Sequence, residues 1–319
     1  MTGKRTLRIV TRQSSLALWQ AEYVKTQLES LHLNLVVSIL GIKTEGDHLA
    51  HVSLAKLGGK GLFVKELEDY LLNDKADIAV HSLKDVPTDL PEGLTLGAIL
   101  QREDPRDALV GRGQGPSPTG TPDPSPTSMG LLAGSVVGTS SLRRQAQISA
   151  LQKDLQLKVL RGNVDTRLKK LDDGLYDAII LAASGLIRLG LRARISYTFD
   201  ESEILPAVGQ GALGLECSIK AREVLELIAP LHHADTGFCV IAERRMNKML
   251  GGNCEVPVAG LATVLENGQL FLKGLVASLD GKTILREEAT GDPVDAIKIG
   301  DRVAKGLLEK GAEEILRHI

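Results

Sequence analysis

The chain has 319 residues, of which 24% are charged and 43% hydrophobic, the balance of a folded globular protein and not of a disordered or fibrous one. At roughly 100–200 residues per core, that length predicts two or three domains. Thirty-eight basic against forty acidic residues give a net charge of −2, which supplies no positive field to hold nucleic acid.

No window approaches the roughly 18 consecutive apolar residues of a membrane span. The start, MTGKRTLRIVTRQSS, passes from a basic stretch into an alternating strand without a signal-peptide core. A soluble, cytoplasmic protein is expected. Cys217, Cys239 and Cys254 are three in number and form no C-x-x-C pair, so neither a disulfide framework nor a metal site is expected.

In chain order, LRIVT (7–11) predicts a strand, Ser14 to His32 a helix, LVVSILGIK (35–43) a strand, 63–73 a helix and ADIAVHSL (76–83) a strand. This βαβαβ rhythm implies a mainly parallel sheet with helices on its faces. In the first helix Leu16, Trp19, Tyr23, Leu28 and Leu31 recur near helical spacing and predict the buried stripe. Ser14 or Ser15 would cap it.

The rhythm restarts after residue 134. SVVGTS (135–140) predicts a strand, SSLRRQAQISALQ a helix, LQLKVLRG (155–162) a strand, NVDTRLKKLDD a helix and DAIILAA (177–183) a strand. From about 235 the pattern becomes a helix through AERRMNKML, then antiparallel strands turning at Asp280-Gly281, then a last helix. The predicted architecture is two α/β domains with mainly parallel sheets plus a C-terminal α+β domain.

Sixteen of the twenty residues 111–130 are Gly, Pro, Ser or Thr, too polar to bury a core, so this segment is expected as a disordered surface loop. LAKLGGKGLF (54–63) is a second glycine-rich stretch, either a lid or an ordinary exposed connection.

Arginine carries the strongest chemical signal. Seven of nineteen, at 143, 144, 161, 167, 188, 192 and 194, fall within residues 143–194. Arg143 and Arg144 follow Gly138-Thr139-Ser140-Ser141 where a strand hands over to a helix, so N–H groups, hydroxyls and guanidiniums could converge on an anion. Arg161 and Arg188 are expected at the same carboxyl edge, as are Arg12 and Ser14 after the first strand. A cleft between two such edges would suit a ligand bearing several carboxylates. Singly, each arginine is more simply a solvated surface residue, and Arg192 and Arg194 are left as such.

HSLKDVP (81–87) puts Lys84 and Asp85 at another strand end. Among guanidiniums a carboxylate can balance a developing cation or move a proton, which makes Asp85 the candidate catalytic residue. Cys254, in LGGNCEVPVAG, sits in a glycine-rich turn that suits a covalent attachment point, whereas Cys217 and Cys239 lie in apolar runs and are expected as core thiols. GQGALG (209–214) matches G-x-G-x-x-G but leads into no convincing helix, so it does not predict a dinucleotide site. His48 and His51 are too isolated for metal, and His232-His233 reads as helix surface.

Taken together, RIVTRQSSLALWQAE, LAKLGGKGLFVKELE, ADIAVHSLKDVPTDLP, REDPRDALV, GSVVGTSSLRRQAQ, LRGNVDTRLKKLDDGLYDAIILAASGLIRLG, LPAVGQGALGLE and AERRMNKMLGGNCEVPVAG resemble the porphobilinogen deaminase family over most of the chain. The resemblance implies two α/β domains like those of periplasmic binding proteins. Domain 1 would span 1–104 with a return at about 211–232, domain 2 105–210, and domain 3 233–319.

The resemblance further implies a dipyrromethane cofactor held by a thioether to Cys254. Ser82, Lys84, Ser141, Arg143, Arg144 and Arg161 would grip its acids, while Arg12, Ser14, Arg167 and Arg188 would position substrate or the growing chain. Asp85 would steady the cation left when ammonia departs. Four porphobilinogens would be joined head to tail and released as hydroxymethylbilane, by a monomer with no metal, membrane or nucleic acid. Asn253 stands where many relatives have glycine, and attachment is expected to survive it. The competing reading is a two-lobed receptor for a carboxylated ligand, which would have no use for a covalent pyrrole.

Overall fold

The computed structural model describes residues 5–44, 64–112, 129–252 and 256–317. The glycine-rich stretch 54–63, most of the 111–130 segment, His48, His51 and Cys254 lie outside the described residues. The chain divides into two compact units, Met1–Glu103 with Gly211–Phe238 and Asp104–Gln210 with Cys239–Ile319.

The first unit is built on a five-stranded sheet. Its strands β1 (Arg5–Arg12), β2 (Leu35–Ile42), β3 (Ile78–Ser82), β4 (Leu94–Ile99) and β10 (Leu213–Ser218) lie in the order β2-β1-β3-β10-β4. β1 pairs in parallel with β2 and β3, while β10 runs antiparallel between β3 and β4. The sheet is therefore mixed, because the returning segment enters it from the opposite direction. β1 is an interior strand and loses water on both faces: Leu7, Ile9, Val10 and Thr11 are all buried.

Helix α1 (Ser15–Leu31) follows β1, with Ser14 as its N-cap, the hydroxyl accepting from the Ala17 N–H at 3.4 Å. The face it buries is Gln20, Ala21, Val24 and Leu28, not the stripe expected from its larger apolar residues. Only Leu28 belongs to both. Tyr23 and Leu31 are 41% and 49% exposed, and Trp19 stacks on Tyr23 with ring centroids 5.3 Å apart. Close helix-to-sheet approach favoured the small Ala21 over the aromatic pair. Helix α2 (Lys65–Leu72) covers the sheet with Leu67 and Leu71.

Glycines shape the return. Gly209 and Gly211 have φ of 72° and 89°, a region open to glycine at little cost. A Cβ at Gly214 would stand 2.7 Å from the Leu83 side chain. GQGALG thus makes a tight turn into β10, which leaves no helix N-terminus for a dinucleotide.

The second unit repeats the plan, with β5 (Asp107–Gly111), β6 (Val136–Gly138), β7 (Gln156–Lys158), β8 (Ala178–Ala182) and β9 (Tyr197–Thr198) in the order β7-β6-β8-β5-β9. β6 is parallel to β7 and β8, and β5 is antiparallel to β8 and β9. Helices α3 (Leu142–Leu151), α4 (Val164–Asp172) and α5 (Ala183–Arg188) connect them.

A meander of β11 (Val258–Val264), β12 (Leu270–Ala277) and β13 (Ile284–Gly291) forms a third, antiparallel sheet. Met246 of α7 (Ala234–Met249) and Ile299, Val303 and Leu307 of α8 (Ala296–Glu309) pack with Leu272 and Val276 in its core. A smaller apolar layer of Ala146, Leu205, Ala259 and Leu275 joins this sheet to α3, which is why both belong to one unit. His232 and His233 precede α7 and do not lie on its surface. The His233 ring caps the helix at the Thr236 N–H, and the Ile99 N–H donates to His232 Nδ1 at 3.1 Å.

Candidate functional site

In the first unit the sequence places Arg12 at the last position of β1, Ser14 at the cap of α1, and Ser82 at the end of β3. A single 3-10 turn, Leu83–Asp85, follows at once. Strand ends and a cap thereby converge, and Arg12, Ser14, Gln20, His81, Ser82 and Asp85 line one pocket of about 80 Å³. Such a volume admits several waters or the acidic arm of a ligand. The Gln20 amide donates to Ser82 Oγ at 2.7 Å, which fixes the hydroxyl. Asp85 is exposed and Lys84 half-buried.

Behind this pocket lies a buried ionisable group that sequence reading missed. His81 Nε2 sits 2.9 Å from Glu216 Oε2, both essentially inaccessible. Glu68 of α2 is 7% exposed. Burial, and after it the charge of Glu216, pushes the Glu68 carboxyl up to about 7. The folded protein therefore keeps a proton on Glu68 that the unfolded chain releases near 4.5. Stability falls as pH rises through that window and levels off above it. Relative to wild type, Glu68→Gln should gain about 2–3 kcal/mol in urea denaturation on going from about pH 4.5 to 7.5. An unchanged difference would mean that Glu68 titrates normally.

In the second unit Ser141 caps α3, its hydroxyl accepting from the Arg144 N–H. Arg143 and Arg144 are 4% and 5% exposed, unlike the solvated surface position expected of an arginine taken singly. Both ion-pair with fully buried Asp107, each at 2.7 Å. Arg144 gives Nε and Nη2 to Asp107 Oδ1 and Nη1 to the Ile180 carbonyl. Arg143 gives Nη1 to the Leu205 carbonyl, while its buried Nε has no hydrogen-bond partner among the described residues. Gln210 adds a bond to Asp107 Oδ1 at 2.9 Å.

Burial alone would raise the Asp107 carboxyl, but the two guanidiniums outweigh it and hold it well below the usual range. Burial in turn lowers Arg143. Asp107 and Gln210 come from the stretches REDPRDALV and LPAVGQGALGLE, in which nothing local marks either side chain as buried.

Arg161 and Arg188 depart from the expected strand edge. β7 stops at Lys158, leaving Arg161 in the following loop, and Arg188 ends α5, a helical element that begins directly after β8. Arg167 lies on α4, its Nε donating to the Gly162 carbonyl at 2.7 Å. Cys217 and Cys239 are buried, as the apolar runs implied, and burial pushes the Cys217 thiol up to about 11. Among the described residues no group of His, Cys, Asp and Glu could hold a metal, and no single helix is long and apolar enough to cross a membrane.

Of the expected residues, the structure gathers Arg12, Ser14 and Ser82 where strands end and a helix begins, beside the exposed Asp85, an arrangement of donors that can hold an anionic group. Comparison with known proteins makes this specific. The family model described as porphobilinogen deaminase, dipyromethane cofactor binding domain, matches residues 7–226, and that of the porphobilinogen deaminase C-terminal domain matches 237–309. The chain belongs to the porphobilinogen deaminase family, transferases of tetrapyrrole biosynthesis, and carries its dipyrromethane-binding domain.

Among solved structures, the periplasmic VFT2 domain of Bordetella pertussis BvgS is 15% identical over 70% of this chain and 85% of its own, with a TM-score of 0.38. A TRAP periplasmic solute binding protein from Desulfovibrio salexigens is 11% identical over 72% of this chain and 73% of its own, at 0.42. An ancestral cationic amino acid solute binding protein is 13% identical over 71% and 87%, at 0.41.

Proposed function

We propose that this protein deaminates four porphobilinogen molecules and joins them head to tail on a dipyrromethane bound through Cys254, releasing hydroxymethylbilane. The observation that carries the reading is the pocket in which Asp85 stands with Arg12, Ser14 and Ser82, within the stretch matched by the cofactor-binding domain.

The residues fit a dipyrromethane. Its acetate and propionate arms call for several guanidiniums, and the second unit holds Arg143 with a buried Nε that lacks a partner among the described residues. Arg143, Arg144, Arg161 and Ser141 would grip acids from that unit, and Ser82 and Lys84 from the other. When bound, the group supplies the free pyrrole α-carbon to which substrate is added. Arg12 and Ser14 orient the acidic arms of porphobilinogen, while Arg167 and Arg188 serve the lengthening product. Asp85 faces the substrate pyrrole, accepts its N–H, and balances the positive charge that develops as the C–N bond to the leaving amine breaks. Its exposure lets it take up the proton lost from the attacking α-carbon and pass it to solvent.

Intact-mass measurement tests this. The purified protein should exceed its sequence mass by one dipyrromethane, Cys254→Ser should match the sequence mass, and added porphobilinogen should give a ladder of substrate increments on the wild type alone. Active protein of unmodified mass would overturn the reading.

A further inference from the structure

The buried Glu68, His81 and Glu216 group has no part in the chemistry above, yet it lies directly behind the pocket. His81 is a pocket-lining residue one position before Ser82 and four before Asp85. Its ring is held by Glu216 at 2.9 Å, and Glu216 is fully buried, with Oε1 lacking any hydrogen-bond partner among the described residues. A carboxylate oxygen left bare in the interior is costly unless something compensates it. The third member, Glu68, comes from α2, whose Val64 and Leu67 side of the pocket is shared with His81.

We propose that Glu68, buried with the His81–Glu216 pair behind the Asp85 pocket, exchanges a proton with solvent, and that its anionic form strengthens the pocket's hold on the cation generated as ammonia leaves. The inference rests on the function proposed above. These are positioning residues, acting on the reacting centre through the field they set.

Glu68, His81 and Glu216 are all packed out of water, so loss of the Glu68 proton adds a negative charge that solvent screens poorly. Burial and the neighbouring Glu216 charge bring Glu68 up to about 7, so the change falls where the enzyme would work. Of the other titratable and charged groups on the elements packed against it, Lys65, Glu66, Asp69 and Tyr70 stand on α2 itself, β1 carries Arg5, Arg8 and Arg12, β10 carries Cys217 next to Glu216, and Lys84 with Asp85 follow β3. β4, which also packs against α2, contributes no titratable side chain. A negative charge behind a partly dry pocket acts at low effective dielectric, and it favours a transition state more cationic than the bound substrate.

The test is the pH profile of kcat for tetrapyrrole formation by the holoenzyme between about pH 6 and 8.5. Wild type should rise across neutrality. Glu68→Gln should lose that limb and turn over about five- to tenfold more slowly at the alkaline end, with KM little changed. Glu68→Asp should keep the limb at a shifted position, which a purely structural role would not predict. A Glu68→Gln profile superimposable on wild type would overturn the proposal.

Infrared titration of wild-type holoenzyme gives a readout independent of the variants. A protonated-carboxyl band should vanish near neutrality, and its absence at the acid end would equally overturn the proposal. If wild type made no tetrapyrrole but still lost that band, the assigned reaction would fail and Glu68 as a buried proton-exchanging group would stand.

Discussion

Asp85→Ala should bind its cofactor normally and lose turnover by about 10²–10³-fold, the usual cost of removing a group that stabilises developing charge. The structure separates this loss from misfolding. Asp85 ends a 3-10 turn held by backbone bonds: the Leu83 N–H donates to the Ala212 carbonyl at 3.0 Å and the Val86 N–H to the Leu83 carbonyl at 3.2 Å. The carboxylate is exposed, so removing it leaves no buried partner stranded.

Asp85→Asn keeps size and a hydrogen-bond acceptor but not charge, and should fall close to the alanine variant if charge is what matters. Asp85→Glu keeps charge one methylene out of place and should fall between. Intact mass confirms cofactor loading, and single-turnover kinetics measure the chemical step. Retention of rate within about tenfold by Asp85→Ala would remove Asp85 from the mechanism.

The position of Asp85 was legible in the sequence because two local signals agreed: a buried apolar strand ADIAVHSL and a charged pair just past its end. Ser14 was one of the two caps read for the first helix, and Ser141 stood at an expected strand-to-helix handover; an N-cap is a short-range device, and both hydroxyls accept from the N–H three residues on. What failed was long-range. The buried face of α1 depended on how closely the helix approaches its sheet, which favoured Gln20 and Ala21 over Trp19 and Tyr23. β10 reads as an ordinary apolar run, yet it comes back more than 120 residues after β3 to pair with it, and that return adds antiparallel pairs to a sheet expected to be mainly parallel.

Glu216 escaped notice for this reason. Its partner His81 is 135 positions away in sequence, and nothing local to GLECSI marks the glutamate as buried. The arginines show the limit from the other side. Their number and clustering in 143–194 were plain, but the acid beneath two of them, Asp107, comes from β5, beyond the glycine- and proline-rich segment.

Asp107→Asn is expected to be the most destabilising single substitution in the site, by about 3–5 kcal/mol, because it leaves two buried guanidiniums without their counter-charge. Arg144 spends three of its donors on Asp107 and the Ile180 carbonyl, so its orientation is set by the fold before any ligand arrives. Arg143 shares the same acid through Nη1 and keeps Nε unmatched among the described residues. Loss of Asp107 should therefore also prevent cofactor loading, since a gripping guanidinium whose direction is no longer fixed must be ordered at the ligand's expense.

The pH dependence has a definite sign. Despite its burial, the Asp107 carboxyl is held below its unfolded value of 3.8, so the stability it contributes is present above that value and is lost only as pH falls through the lower folded one. Wild type should thus lose this contribution only in strong acid, whereas Asp107→Asn should be weakened at every pH above about 4. Urea denaturation at neutral and acid pH distinguishes the two. A variant as stable as wild type at neutrality would mean that Arg143 and Arg144 are balanced by something other than this carboxylate.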